Sequence, residues 1–157
     1  MPRRAKSARS RSVDEGSAVE VSTTIKPLRA LESRPSGPWT MASISEAVAV
    51  AAKSGLALDK LFEVVSAGGV NSGIFQMMVG KMLQGDLGGL KFAIDNGRKD
   101  LRYYTHLAES LPVPSFMGEA AHQSFVQASN LGHGDKFIAS LFEAQEQTAQ
   151  VRIVPRP

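Results

Sequence analysis

The chain has 157 residues, 43% of them hydrophobic and none of them cysteine, with a formal net charge of +3. That length suffices for one domain burying about two thirds of its unfolded surface, and the lack of cysteine excludes disulfides, thiolate metal sites and cysteine nucleophiles. Residues 1–40 carry eight Lys and Arg against four Asp and Glu, whereas residues 41–157 carry ten against eleven, so the remainder is nearly neutral and a nucleic-acid interface is not expected of it.

The first 40 residues open MPRRAKSARSRS and reach SRPSGPW. They lack the apolar h-region of a secretory signal and interleave no aromatic residue with the arginines. A disordered basic leader is expected here, on a cytoplasmic protein. No run in the chain approaches the ~18 apolar residues of a membrane span. His106, His122 and His133 show no metal-ligand spacing, so no metal centre is expected.

At Ser43 the pattern changes. Ser43 and Glu46 have the S-x-x-E spacing of a capping box, in which each side chain satisfies a free backbone N–H at a helix start. Ile44, Ala47, Val48 and Ala51 then follow at helical spacing, and Gly55 stops the helix. A second helix repeats the pattern at Leu58, Leu61, Phe62 and Val65 and ends at Gly68 and Gly69. A third, capped by Asn71 or Ser72, carries Phe75, Met78, Val79 and Met82 as core. The glycines of QGDLGGL make residues 84–90 a loop and lack the strand context of a dinucleotide fingerprint.

The stretch from Phe92 to Leu111 predicts a long central helix with an apolar stripe at Leu101, Tyr104, Leu107, Ala108 and Leu111. Phe92 and Asp95 lie toward its start, ahead of the adjacent pair Lys99 and Asp100. On residue chemistry alone the solvated charge pair is the default reading of Lys99 and Asp100; the alternative is a charged group offered to a ligand. Pro112 and Pro114 break the helix, with Pro114 suited to the first turn of the next. That helix carries Met117, Ala121, Phe125, Ala128 and Leu131. A GHGD turn leads to a last helix capped by Asp135, with Phe137, Ile138, Leu141 and Phe142 facing inward. No segment alternates like a half-buried strand, so the fold expected is all-α, a bundle of about six helices, almost wholly helical over residues 43–147.

Five landmarks occur in order: SEAVAVAAKSGL at 45–56, LFEVVSAGGVNSGIF at 61–75, KMLQGDL at 81–87, FAIDNGRKDL at 92–101 and LGHGD at 131–135. Together they resemble the C-terminal helical domain of the β-hydroxyacid dehydrogenases, the family of 3-hydroxyisobutyrate dehydrogenase, whose helical bundle is related to that of 6-phosphogluconate dehydrogenase. The resemblance assigns residues 43–150 to that domain. It implies NAD or NADP as cofactor, a 3-hydroxy acid as substrate, and a homo-oligomer, since this domain builds the family's subunit interface. It also implies that Lys99, of the family's K-D-L motif, reaches the nicotinamide end of the cofactor. Asp100 and Phe92 line the same side, and Asn71 with Ser72 form a turn facing the substrate.

Two departures accompany the resemblance. No G-x-G-x-x-G follows a strand anywhere in the chain, so the Rossmann half and its pyrophosphate site are absent from these residues. The family's proton-transfer lysine lies on a helix about four turns before SEAVAV. Counting back 16 residues from Glu46 arrives at Ala30, with Arg34 near the expected asparagine, Lys26 out of place before Pro27, and Pro35 and Pro38 set to break the helix. No catalytic residue is therefore expected here. The chain reads as a truncated, catalytically incomplete dehydrogenase domain; a non-catalytic dimerisation module is the alternative.

Overall fold

The computed structural model describes residues 37–156. Six α-helices form a bundle among the described residues, as expected: α1 Gly37–Lys53, α2 Leu58–Ala67, α3 Gly73–Met82, α4 Ile94–Ser110, α5 Phe116–Ala128 and α6 Leu141–Ala149. A π-turn, Ser129–His133, and a 3-10 turn, Ile138–Ser140, lead from α5 into α6. The only strand-like pairing among the described residues is an isolated antiparallel bridge between Ala93 and Phe137. Among the same residues no helix is long and apolar enough to cross a membrane.

Of the leader expected over residues 1–40, residues 1–36 lie outside the described residues, and 37–40 are already helix. Pro38 therefore does not break α1. It sits in the first turn, where the amides have no intrahelical partner and a missing N–H costs nothing. For the same reason Ser43 and Glu46 cap nothing, being exposed positions well inside α1. The core face of α1 is Met41, Ala42, Ser45, Val48, Ala49 and Ala51. Gly55 ends it as expected: its φ of +82° is the left-handed conformation. The Gly55 and Leu56 amides donate back to the carbonyls of Ala52 and Ala51, both at 3.1 Å, in a Schellman closure.

α2 buries none of its residues fully. Its apolar edge lies half-buried, and Phe62 stacks on Phe75 of α3 with centroids 5.6 Å apart. α3 is deeper, with Phe75, Met78, Val79 and Met82 all buried as expected. α5 packs along α4, and α1 packs against α5 and α6. The α4–α5 approach depends on Gly97, where a Cβ would overlap the Phe125 ring, itself fully buried. Backbone separation here is set by the absence of a side chain.

Several apolar positions turn out differently from the expected stripes. α4 faces the core through Ile94, Gly97, Leu101, Thr105 and Ala108, so Tyr104 and Leu107 are only half-buried and Leu111 is 61% exposed. α5 begins at Phe116, two residues after Pro114, and contacts the core through Gly118, Ala121, Phe125 and Ala128. That face leaves Met117 74% exposed and Leu131 outside. Asp135 caps no helix and Phe137 is 41% exposed, because the chain makes a turn and a 3-10 segment before α6. Ile138, Leu141 and Phe142 are buried as expected.

Beyond residue 150 the chain stays in the core. Ile153 and Val154 are buried, and the buried Glu146 carboxylate accepts both of their backbone N–H groups at 2.7 Å. Arg156 completes this clasp at 2.9 Å.

Candidate functional site

The central segment, Lys91 to Asp100, is positioned by the turn that joins α5 to α6. The Ile94 amide donates to the Lys136 carbonyl at 2.9 Å, the Asp95 amide to the Gly134 carbonyl at 2.8 Å, and the Ile138 amide to the Phe92 carbonyl at 2.8 Å. The next two amides, of Asn96 and Gly97, return to Ala93. Every amide at the start of α4 is thus taken within the chain, so this helix N-terminus has no free donors for a phosphate group. Asp95 locks the same junction from its side chain. Its Oδ1 accepts from Ser129 Oγ at 2.7 Å and from Arg98 Nε at 3.1 Å. The Ser129 hydrogen bond, with Arg98 adding to it, holds the exposed Asp95 carboxyl below its ordinary value against a slight opposing desolvation.

The five residues expected at the site fall into two groups. Phe92, Lys99 and Asp100 belong to one continuous segment. Phe92 precedes α4 rather than lying on it, half-buried against the core. Lys99 is exposed on the second turn and makes no salt bridge among the described residues. Asp100 is half-buried; burial raises its carboxyl above the ordinary value, with the Lys99 charge only partly compensating. It lies one turn before Tyr104, which lines, with Trp39, Ala42, Gly118, Ala121 and others, a groove of about 300 Å³ between α1, α4 and α5. Trp39 and Tyr104 close the groove edge-to-face, with centroids 4.8 Å apart.

Asn71 and Ser72 lie apart, at the α2–α3 turn, and no hydrogen bond or salt bridge joins them to the first group. Ser72 is the N-cap of α3, its hydroxyl accepting from the Phe75 amide at 3.2 Å. Asn71 donates to the Ser66 carbonyl at 2.9 Å and accepts from Gln76 at 2.8 Å. Both residues are engaged in shaping the turn.

This arrangement offers one exposed cation with a destabilised carboxylate beside it, and no backbone cradle at α4. A lone ammonium with free donors can hydrogen-bond a neutral oxygen acceptor, and without a backbone cradle this segment has no site for a phosphate group.

Comparison with known proteins decides the family. Residues 39–144 match the model described as the NAD-binding domain of NADP-dependent 3-hydroxyisobutyrate dehydrogenase. The chain belongs to that family. Its cofactor class is therefore the nicotinamide dinucleotides, as the resemblance implied. The 3-hydroxyisobutyrate dehydrogenase-type domain is 34% identical over 105 residues to the L-threonate dehydrogenase of Haemophilus influenzae, covering 65% of this chain and 35% of that protein. It is 29% identical over 104 residues to the chloroplastic glyoxylate/succinic semialdehyde reductase 2 of Arabidopsis thaliana, covering 66% and 29%. A crystal structure of 3-hydroxyisobutyrate dehydrogenase from Salmonella typhimurium superposes with a TM-score of 0.63 at 27% identity, over 76% of this chain and 40% of that one. The chain spans about a third of the length of these curated relatives.

Sequence patterns did not disclose the turn over residues 129–138 as the support of this segment. Gly134 is the nearest signal: a Cβ there would come within 2.6 Å of the Asp95 carboxylate. The glycine is visible in the sequence, its partner is not.

Proposed function

We propose that the chain supplies the cofactor- and substrate-facing helical half of a cytoplasmic NAD(P)-dependent 3-hydroxyacid oxidoreductase, and that these 157 residues do not turn over alone. The observation that carries the reading is Lys99, exposed and without a salt bridge among the described residues, beside a carboxylate that burial destabilises. Structure-building ion pairs satisfy one another; this pair leaves the lysine's donors available. When bound, the nicotinamide accepts or returns the hydride of a 3-hydroxy acid. Lys99 donates to an amide or ribose oxygen at that end, Asp100 orients the ammonium, and Phe92 walls the same side. Asn71 and Ser72 shape the turn on the substrate side, through the α3 cap rather than by free side chains.

The energetics support incompleteness. One charge-assisted hydrogen bond contributes about 1.5 to 3 kcal/mol, whereas micromolar affinity needs about 8 kcal/mol. The remainder comes from a pyrophosphate cradle that the α4 N-terminus does not offer. Proton transfer also needs a positioned acid or base, worth roughly 100-fold to 10,000-fold in rate, and the sequence has no lysine at the place the family's pattern expects, near Ala30. The apolar residues exposed at the α4–α5 turn, Leu111, Val113, Phe116 and Met117, support association into a homodimer or with a partner domain.

The test is to add a separately expressed Rossmann domain from a full-length relative, with its own catalytic helix, and assay 3-hydroxy acid oxidation. Activity is expected only with both parts, and Lys99→Ala should lower it by at least about tenfold, the loss of one such hydrogen bond. Turnover by the chain alone, or no effect of Lys99→Ala, overturns the proposal.

A further inference from the structure

His133 has a role that neither the family match nor the site residues assign. It stands at the root of the turn between α5 and α6 with its side chain only 4% exposed. Its Nε2 lies 3.0 Å from the Gln147 side-chain amide on α6. Its Nδ1 is buried without a hydrogen bond, 3.5 Å from the Glu143 carboxylate, also on α6. With the Gln147 amide donating to Nε2, the ring proton sits on Nδ1 and faces that carboxylate. Lys136 reaches the same Glu143 oxygen at 3.1 Å. Two side chains of the turn are therefore moored to α6.

The other side of the turn holds the start of α4. The His133 carbonyl accepts from the Lys136 amide, closing the loop whose Gly134 and Lys136 carbonyls receive Asp95 and Ile94. The Ile138 amide, just beyond, holds the Phe92 carbonyl. A continuous path runs from α6 through the imidazole to the backbone that fixes Phe92 and Asp95 and, one turn after Asp95, Lys99. A buried imidazole with one nitrogen unbonded is costly as packing alone, where an apolar side chain would serve.

We propose that His133 is a positioning residue: moored to Gln147 and Glu143, it holds the turn over residues 129–138 against Phe92–Asp95 and so sets the cofactor-facing edge of α4. The link to the cofactor rests on the function proposed above; the mooring itself does not.

Amide hydrogen exchange on the full chain separates the two. His133→Phe keeps the volume and removes the nitrogens, whereas His133→Gln returns an amide close to the Nε2 position. In His133→Phe, exchange at Ile94, Asp95 and Ile138 should accelerate by about tenfold or more, with Val79 and Met82 in α3 unchanged. His133→Gln should bring the three amides back to within about threefold of the parent. If His133→Phe does not fold, Gln147→Leu removes the same hydrogen bond from the other side. Parental exchange in His133→Phe, or equal acceleration in α3, overturns the positioning role. A second measurement uses the same variants with the added Rossmann domain. The KM for the nicotinamide cofactor should rise in His133→Phe and recover in His133→Gln. Selective loosening of the three amides with an unchanged cofactor KM leaves the mooring standing and overturns its link to the cofactor, and with it the placing of Phe92 and Lys99 at that edge.

Discussion

The two regions expected to face ligands are held by different means. The Phe92–Asp100 segment is fixed by backbone hydrogen bonds to a turn about 40 residues away in sequence, with Asp95, Ser129 and Arg98 closing the junction. The α2–α3 turn with Asn71 and Ser72 is fixed by its own neighbours, Ser66, Phe75 and Gln76, beside a helix that buries no residue fully. Long-range support transmits strain across the bundle; local support confines it. The Phe92–Asp100 segment is therefore built into the cooperative core, and the α2–α3 turn belongs to a less deeply anchored unit that can open on its own.

The contrast can be broken most forcefully at Gly97. Gly97→Val places atoms inside the Phe125 ring at the α4–α5 crossing and should destabilise the whole bundle by about 3 kcal/mol or more, read as a lowered urea midpoint for every helix together. Ser72→Ala removes the α3 cap and should cost about 1 kcal/mol. Its effect should appear chiefly as faster exchange of the first α3 amides, with α4 protection unchanged; equal loss in both would erase the distinction.

Acid sharpens the same comparison. Asp95 is held low by its Ser129 and Arg98 hydrogen bonds. In Glu143, burial works upward, but hydrogen bonds from Lys136 and Ser140 and the nearby Lys136 charge carry it below its ordinary value. A folded-state value below the unfolded one stabilises above the ordinary carboxylate range, and that stability is lost as pH falls through the folded value. Stability should therefore fall from about pH 5 downward, more shallowly in Asp95→Asn and Glu143→Gln. Ser72→Ala should leave the slope as it is, since its hydroxyl does not titrate in this range.

The smallest effect expected is at Asp100. Burial raises its carboxyl, so the ionised form weakens the folded state above that raised value. Asp100→Asn should stabilise the fold at neutral pH, by less than about 0.5 kcal/mol at a half-buried position that solvent still screens. A melting temperature lowered by the change would show that Asp100 is structural rather than kept for its chemistry.

Much of this was legible in the sequence where one helix carried the whole signal. The α3 core positions, the Gly55 stop and the inward residues of α6 follow from spacing, because a helix face repeats with a period set by the backbone itself. Lys99 and Asp100 were visible as a motif in a row of family landmarks; the fold leaves Lys99 exposed and Asp100 half-buried. The start of α1 was misplaced because a capping pattern reads the same whether or not helix precedes it; the two prolines drew the boundary too late.

The sequence by itself determined an all-α bundle, its family and the order of its helices, since these rest on local periodicity and on landmarks in line. Tertiary structure decided which turn supports which helix. It placed Gly134 against Asp95, Gly97 against Phe125, His133 between Gln147 and Glu143, and Ile153 and Val154 under the Glu146 clasp. None of these pairings has a period or a motif, because each depends on where two distant segments meet after the helices pack. A glycine or histidine in the sequence states that something close or polar is required there, and only the packed bundle supplies the partner.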